Sequence, residues 1–260
     1  MEKPRILLFI PGYNCEKQIG RVLLQLDQEV MDYIAQVIVV NNRSTDNTEE
    51  AVRMFQGEHP EIPIKLLRNC ENYGLGGSHK VAFSYALEHG FEFVCVLHGD
   101  DQGDIHDFMP VFRQRLYRNY DCVLGARFMR GSRLEGYSLF RTFGNIVYDF
   151  LFAAVIKRRV FDLGSGLNLY RTSMLETRFY EKFPDNLMFN YCMILAADFY
   201  NCRMRFFPIS WREEDQVSNV KMVNQALTVL KILFRYRREK GTILADFREK
   251  RIDVYEAQEV

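Results

Sequence analysis

Four times in the first hundred residues a short apolar run ends in a polar loop that leads into helical periodicity. This alternation restricts the chain to an α/β fold, with right-handed crossovers and a mainly parallel sheet covered by helices on both faces. Arg5–Ile10 stops at Pro11-Gly12, and Ile19, Val22, Leu23, Leu26 and Val30 then recur at helical spacing. Gln36–Asn41 precedes NNRSTDNTEE, where Asp46 and Glu49 have the offset of a capping box. Ile62–Leu67 precedes NCENYGLGGSHK, which opens a helix through Val81, Ala82, Tyr85 and Leu87 that Gly90 would cap. Phe91–Leu97 is apolar on nearly every residue, as a central parallel strand is. Asp107 is expected to cap a helix with Pro110 in its first turn, and Asp121–Gly125 reads as a fifth strand. Ligands of such sheets sit beyond the carboxyl ends of the strands, so Tyr13, Asn42, the loop at Asn72 and His98–Gln102 should converge on one crevice.

At the end of the fourth strand, His98, Asp100 and Gln102 stand at i, i+2 and i+4, which places three metal-capable side chains on one side of an extended chain. Gly74, Gly76 and Gly77 could bring backbone N–H groups near a phosphate or form a flexible turn; their spacing matches no Walker loop.

With 260 residues, 48% hydrophobic and no Pro/Gly/Ser-rich linker, the chain can bury one sizeable core. The expected division is a main domain over 1–220 and a basic helical extension over 221–260. Lys+Arg and Asp+Glu are 34 each, so no global charge recruits nucleic acid. Six cysteines without a CxxC pair imply reduced thiols. The apolar run near the N-terminus is too short for a signal peptide. Ile146–Ile156 is interrupted by Asp149 and closed by Lys157, Arg158 and Arg159, so no membrane span is expected.

Taken together, these motifs resemble the inverting family 2 glycosyltransferases of the GT-A fold, and within them the dolichol- and polyprenyl-phosphate sugar synthases. IPGYN is similar to the family's P-x-Y-N-E element, with Glu16 displaced by one position. VIVVNNRSTDNT resembles V-D-D-x-S-x-D-x-T, with Asn41 and Asn42 in place of both acids. HGDDQ resembles the metal-binding D-x-D-x-Q, with His98 where the first aspartate belongs. GARF and FDLGSGLNLYR resemble G-S-R-Y and D-x-x-S-G-F-x-x-Y-R. The resemblance implies a UDP- or GDP-sugar donor contacted by Pro11, Tyr13, Asn14, Asn42, Lys80 and Asp101. It also implies Mn²⁺ or Mg²⁺ at His98, Asp100 and Gln102. Imidazole is softer than carboxylate and uncharged, so His98 either ligates the metal, favouring Mn²⁺ over Mg²⁺, or bonds only the nucleotide.

A lipid phosphate is already an anion and needs cations, whereas a sugar hydroxyl needs a base. By resemblance Arg127, Arg141 and Arg212 hold the donor and acceptor phosphates beside Asp100. For a saccharide acceptor the base candidates are Asp162, Glu213, Glu214 and Asp215. A metal hydrolase using His98, Asp100, Asp104 and His106, and an inactive nucleotide-binding protein, are the remaining alternatives. The apolar run from Ser138 and the stretch Met222–Tyr236, both flanked by basic residues, are expected either to lie in a membrane interface or to pack in the core. The expected location is therefore cytoplasmic, peripheral to the inner face of the membrane.

Overall fold

A computed structural model describes residues 5–213 and 222–260. Along the chain run β1 (Ile6–Gly12), α1 (Glu16–Leu23), α2 (Gln28–Met31), β2 (Ile34–Asn41), α3 (Thr48–Glu58), β3 (Ile64–Asn69), α4 (Gly74–Glu88) and β4 (Phe93–Leu97). There follow α5 (Met109–Arg113), β5 (Cys122–Ala126), β6 (Arg133–Glu135), α6 (Leu139–Ile156), β7 (Leu167–Arg171) and α7 (Met188–Phe199). β8 (Met204–Pro208), β9 (Ser210–Arg212), α8 (Met222–Arg238) and β10 (Ala257–Glu259) complete the list.

The main sheet has the order β10-β3-β2-β1-β4-β7-β5-β8. It is parallel except where β7 runs against β4 and β5, and β10 against β3. Alternation in the central strands divides two cores. Leu7, Phe9, Val94 and Val96 face α4 and α7, while Ile6, Leu8, Cys95 and Leu97 face α1 and α5. The carboxyl ends of β1, β2, β4 and β5 therefore open on one edge, as the α/β alternation requires.

Several local expectations are corrected. The run Ile19–Val30 is broken into α1 and α2, with Asp27 capping the second through Val30 N at 2.9 Å. Asp46 accepts from Thr48 N, but Glu49 bonds Arg68 and Asn41, so no reciprocal capping box forms. Asp104, rather than Asp107, caps the short 3₁₀ turn before α5; Asp107 accepts instead from Ser210 N and Oγ, both at 2.6 Å.

The C-terminal region is not set apart from the body. The expected boundary at 220/221 lies outside the described residues, but α8 packs on α6 and α7 through Val229, Leu233 and a fully buried Tyr236. The tail then returns to close the β3 edge as β10. All six cysteines are free.

The apolar run expected to be broken by Asp149 is a continuous helix. α6 is 18 residues long and by length and composition alone could cross a membrane, with 17% of it buried. Asp149 does not interrupt it because the carboxyl falls on the inward stripe with Phe152 and Ile156. The opposite face leaves Leu139, Phe140, Phe143 and Phe150 exposed, each by two-thirds or more.

Candidate active site

The crevice is laced together by its own loops. Gly99 N donates to Pro11 O at 3.1 Å and Asn42 N to Gly12 O at 2.9 Å, which ties the ends of β4 and β2 to that of β1. Asn14, at φ 51°, accepts from Thr45 N at 2.8 Å. Tyr13 follows Gly12 at the same strand end and is 52% exposed.

Three residues expected to touch the nucleotide have other work. Asn42 is buried: its Oδ1 accepts from Asn69 Nδ2 and Tyr73 N, and its Nδ2 donates to Asn72. It therefore shapes the loop at 72–73. Lys80 is fully buried, and its three N–H bonds reach Phe183 O, Asp185 and the Tyr255 hydroxyl at 2.6–3.0 Å. No donor is left for a phosphate. Asp101, at φ 58°, clamps Arg21 at 2.6 Å and Arg212, whose Nε also donates to Asp101 O at 2.8 Å. The carboxylate thereby pins α1 and β9 around the turn that presents Asp100.

At that turn His98 Nδ1 lies 4.0 Å from Asp100 Oδ2. Desolvation, aided by the charge of Arg127, lowers the His98 pKa to about 4, so the imidazole is neutral. Desolvation raises the Asp100 carboxyl to about 6, although a third of its side chain reaches solvent. His98 rests on Gly166, where a Cβ would stand 2.7 Å from its Cγ. Among the described residues no three His, Cys, Asp or Glu side chains group to hold a metal. The donor set fits a cation only if two protein ligands are completed by others, as Mg²⁺ and Mn²⁺ sites commonly are by waters and substrate phosphates. His106 pairs with Asp104 and Asp27 on the surface, which separates it from this cluster.

Next to the turn, Arg127 and Asp162 form a buried bidentate pair at 2.7 and 2.8 Å. Asp162 also accepts from the backbone N of Arg127 and of Gly164. Desolvation works against the Arg127 charge, but Asp162 outweighs it and holds the guanidinium protonated. Phe128, Tyr137 and Trp211 surround that guanidinium at 4.9–5.7 Å. Arg141, on the first turn of α6, lies over the same Tyr137 ring at 4.7 Å from its centroid and donates Nη1 to both oxygens of Glu213. Its Nε and Nη2 carry no bond to any described residue. Tyr137 escaped sequence reasoning, because a tyrosine in a loop carries no spacing signal.

A family model, Glycosyl transferase family 2, matches residues 8–179 of this chain. The chain belongs to that family. Family 2 membership makes it a glycosyltransferase, and its mostly parallel sheet with an antiparallel β7 is the GT-A fold. An uncharacterized protein of Methanocaldococcus jannaschii is 24% identical over 92% of this chain and 94% of its own length. The UDP-N-acetylglucosamine–dolichyl-phosphate N-acetylglucosaminyltransferase of Methanococcus voltae is 24% identical over 66% of this chain and 71% of its own. Among solved structures, S. aureus TarS 1–349 in complex with UDP-GlcNAc superposes with a TM-score of 0.61 at 18% identity, over 94% of this chain and 71% of that one. That likeness concerns the fold of this glycosyltransferase.

Proposed function

We propose that the protein moves a sugar, with inversion, from a nucleotide-sugar to a polyprenyl phosphate at the cytoplasmic face of a membrane. The observation that carries this reading is the state of the two candidate acceptor groups. Asp162, the described base candidate most deeply placed in the site, accepts four hydrogen bonds and is locked to Arg127, so it has no free lone pair directed at a hydroxyl. Glu213 is bound to Arg141, and Glu214 and Asp215 lie outside the described residues. Arg141, by contrast, has an Nε/Nη2 edge that no described residue bonds, of the kind that grips phosphate bidentately. It sits at the start of the apolar face of α6, where a lipid chain would lie.

In this reading a phosphate oxygen attacks the anomeric carbon as the bond to the nucleoside diphosphate breaks, and no proton has to be removed. Tyr13 stacks on the base. Asp100 and His98, with water and diphosphate oxygens completing the set, would hold a divalent cation, whose charge would offset that developing on the leaving diphosphate. Arg141 keeps donor and acceptor anions from repelling one another. The exposed Phe140, Phe143 and Phe150 enter the membrane interface. The M. voltae relative, by its name, acts on a dolichyl phosphate, which supports the acceptor class.

The test supplies labelled UDP-GlcNAc, UDP-glucose or GDP-mannose with Mn²⁺ and either undecaprenyl or dolichyl phosphate. Label is expected in an organic-extractable, acid-labile product, and Arg141→Lys should lower that transfer about tenfold, with donor binding little changed. Label found only on a saccharide acceptor would overturn the reading.

A further inference from the structure

α8 divides its surface as sharply as α6 does, but its outward chemistry is different. Val229, Ile232, Leu233 and Tyr236 are at most 9% exposed and join the core shared with α6 and α7. On the opposite side Leu227, Leu230 and Phe234 recur at i, i+3 and i+7, a single row that is 57%, 38% and 62% exposed. Lys231, Arg235 and Arg238 run beside that row at i, i+4 and i+7, and Arg237 falls on its other flank, beyond Leu230. All four cations are exposed, and no acidic residue stands among 227–238. The Arg238 guanidinium lies 5.9 Å from the centroid of the Phe234 ring, at the border between the apolar row and the basic one.

An apolar row bordered on both sides by cations narrows the choice of partner. A nucleic acid would engage the cations and leave the leucines and the phenylalanine uncovered. A second copy docking through the same face would set four cations against four. A bilayer containing anionic lipid satisfies both features, since acyl chains receive the apolar row while the long basic side chains reach back to the headgroups. α6, which packs against α8, supplies the contrast, because it carries no Lys or Arg between Arg141 and its end. Its outer face can enter an interface but cannot sense headgroup charge. We propose that the outer face of α8 is an anionic-lipid contact, with Leu227, Leu230 and Phe234 at the acyl boundary and Lys231, Arg235, Arg237 and Arg238 on headgroup oxygens. Stable attachment to a membrane without a span takes two weak signals, and these neighbouring helices provide one each, apolar area from α6 and charge from α8. The inference rests on the membrane placement in the proposed function, and on neither its donor nor its acceptor.

Vesicle sedimentation of the full chain tests this without turnover. The parent should partition onto vesicles of equal parts phosphatidylcholine and phosphatidylglycerol at least about tenfold more strongly than onto phosphatidylcholine alone, and high salt should remove the difference. A combined Lys231→Gln, Arg235→Gln and Arg238→Gln variant should lose at least about tenfold on the mixed vesicles, since each cation near an anionic surface is worth roughly fivefold. On neutral vesicles it should match the parent. Trp211 is buried, so Phe234→Trp adds an exposed reporter on α8, whose fluorescence should be quenched by lipid brominated on the acyl chains. A parent that prefers neither vesicle overturns the proposal whether or not the glutamine variant folds. Unchanged partitioning of a folded glutamine variant overturns it too, as does a vesicle-bound Phe234→Trp that escapes quenching. A parent that ignores these vesicles but binds RNA, or dimerises, through the same residues overturns it in favour of that partner. A protein that meets every expectation here yet transfers no sugar to a lipid phosphate refutes the acceptor assignment and leaves this contact standing.

Discussion

Asp162 illustrates how burial changes what a residue can do. A loop aspartate beside a glycosyltransferase crevice has the chemistry of a general base, but here it neutralises a guanidinium that is itself 8% exposed. Removing one member of such a pair strands the other charge in a low dielectric, at a cost of about 3–5 kcal/mol. Asp162→Ala should therefore lower the melting temperature by roughly 10 °C, measured by thermal denaturation, and lose activity only as a consequence. A variant as stable as the parent but inactive would restore Asp162 as the base. The same contrast separates Asp100 from Asp101. Adjacent in sequence, one faces solvent at the turn, while the positive φ of the other directs its carboxylate inward between Arg21 and Arg212. No spacing rule distinguishes them, since the distinction is made by the partners that the fold brings from α1 and β9.

At the scale of elements, α6 carries two opposed faces. Outward, moving Phe140, Phe143 and Phe150 from water into lipid is worth about 1.5–3 kcal/mol each. Replacing all three with serine should abolish cosedimentation with anionic vesicles while leaving the melting temperature nearly unchanged. Inward, Asp149 Oδ1 is buried with no partner among the described residues, and desolvation, reinforced by the charge of Asp162, raises its carboxyl to about 8. Arg127 opposes that rise, and Tyr148 and Tyr191 are the other titratable groups nearby. The folded pKa lies above the unfolded value near 4, so the folded state holds a proton that the unfolded state has lost. The stability from this group is complete below pH 4, declines as pH rises and is gone above about 8. Asp149→Asn should remove that slope. Between pH 5 and 8 its unfolding free energy should gain on the parent by an amount on the order of a few kcal/mol, read from urea titrations. A constant difference across that range would mean that Asp149 is ionised in place.

Across the whole molecule, the tail from 245 to 260 acts as a strap. β10 covers the β3 edge, Tyr255 joins Asp185 on the Lys80 ammonium, and Lys250 meets Glu71. Deleting 245–260 would expose a strand edge and remove one of the hydrogen bonds holding a buried charge, so the truncated protein should melt earlier and aggregate on heating, as followed by light scattering. A truncated form as stable and monomeric as the parent would show the strap to be dispensable. The apolar strands, the polar loops at their ends and the order of the motifs are all visible in the chain, because strand burial writes itself as local composition. These features determined the α/β class and the crevice at the strand ends, and the resemblance carried by the motifs implied family 2 and the GT-A fold. The sequence could not show that Asn42, Lys80 and Asp101 are internal ties, or that Asp162 is held by Arg127. Those roles depend on contacts between residues 27 to 175 positions apart, where the direction of a side chain and the saturation of its hydrogen bonds are set by packing. Chemical type is local and legible in the sequence, whereas the availability of a group for chemistry was decided by the tertiary structure, which determines whether its lone pairs and protons already have partners.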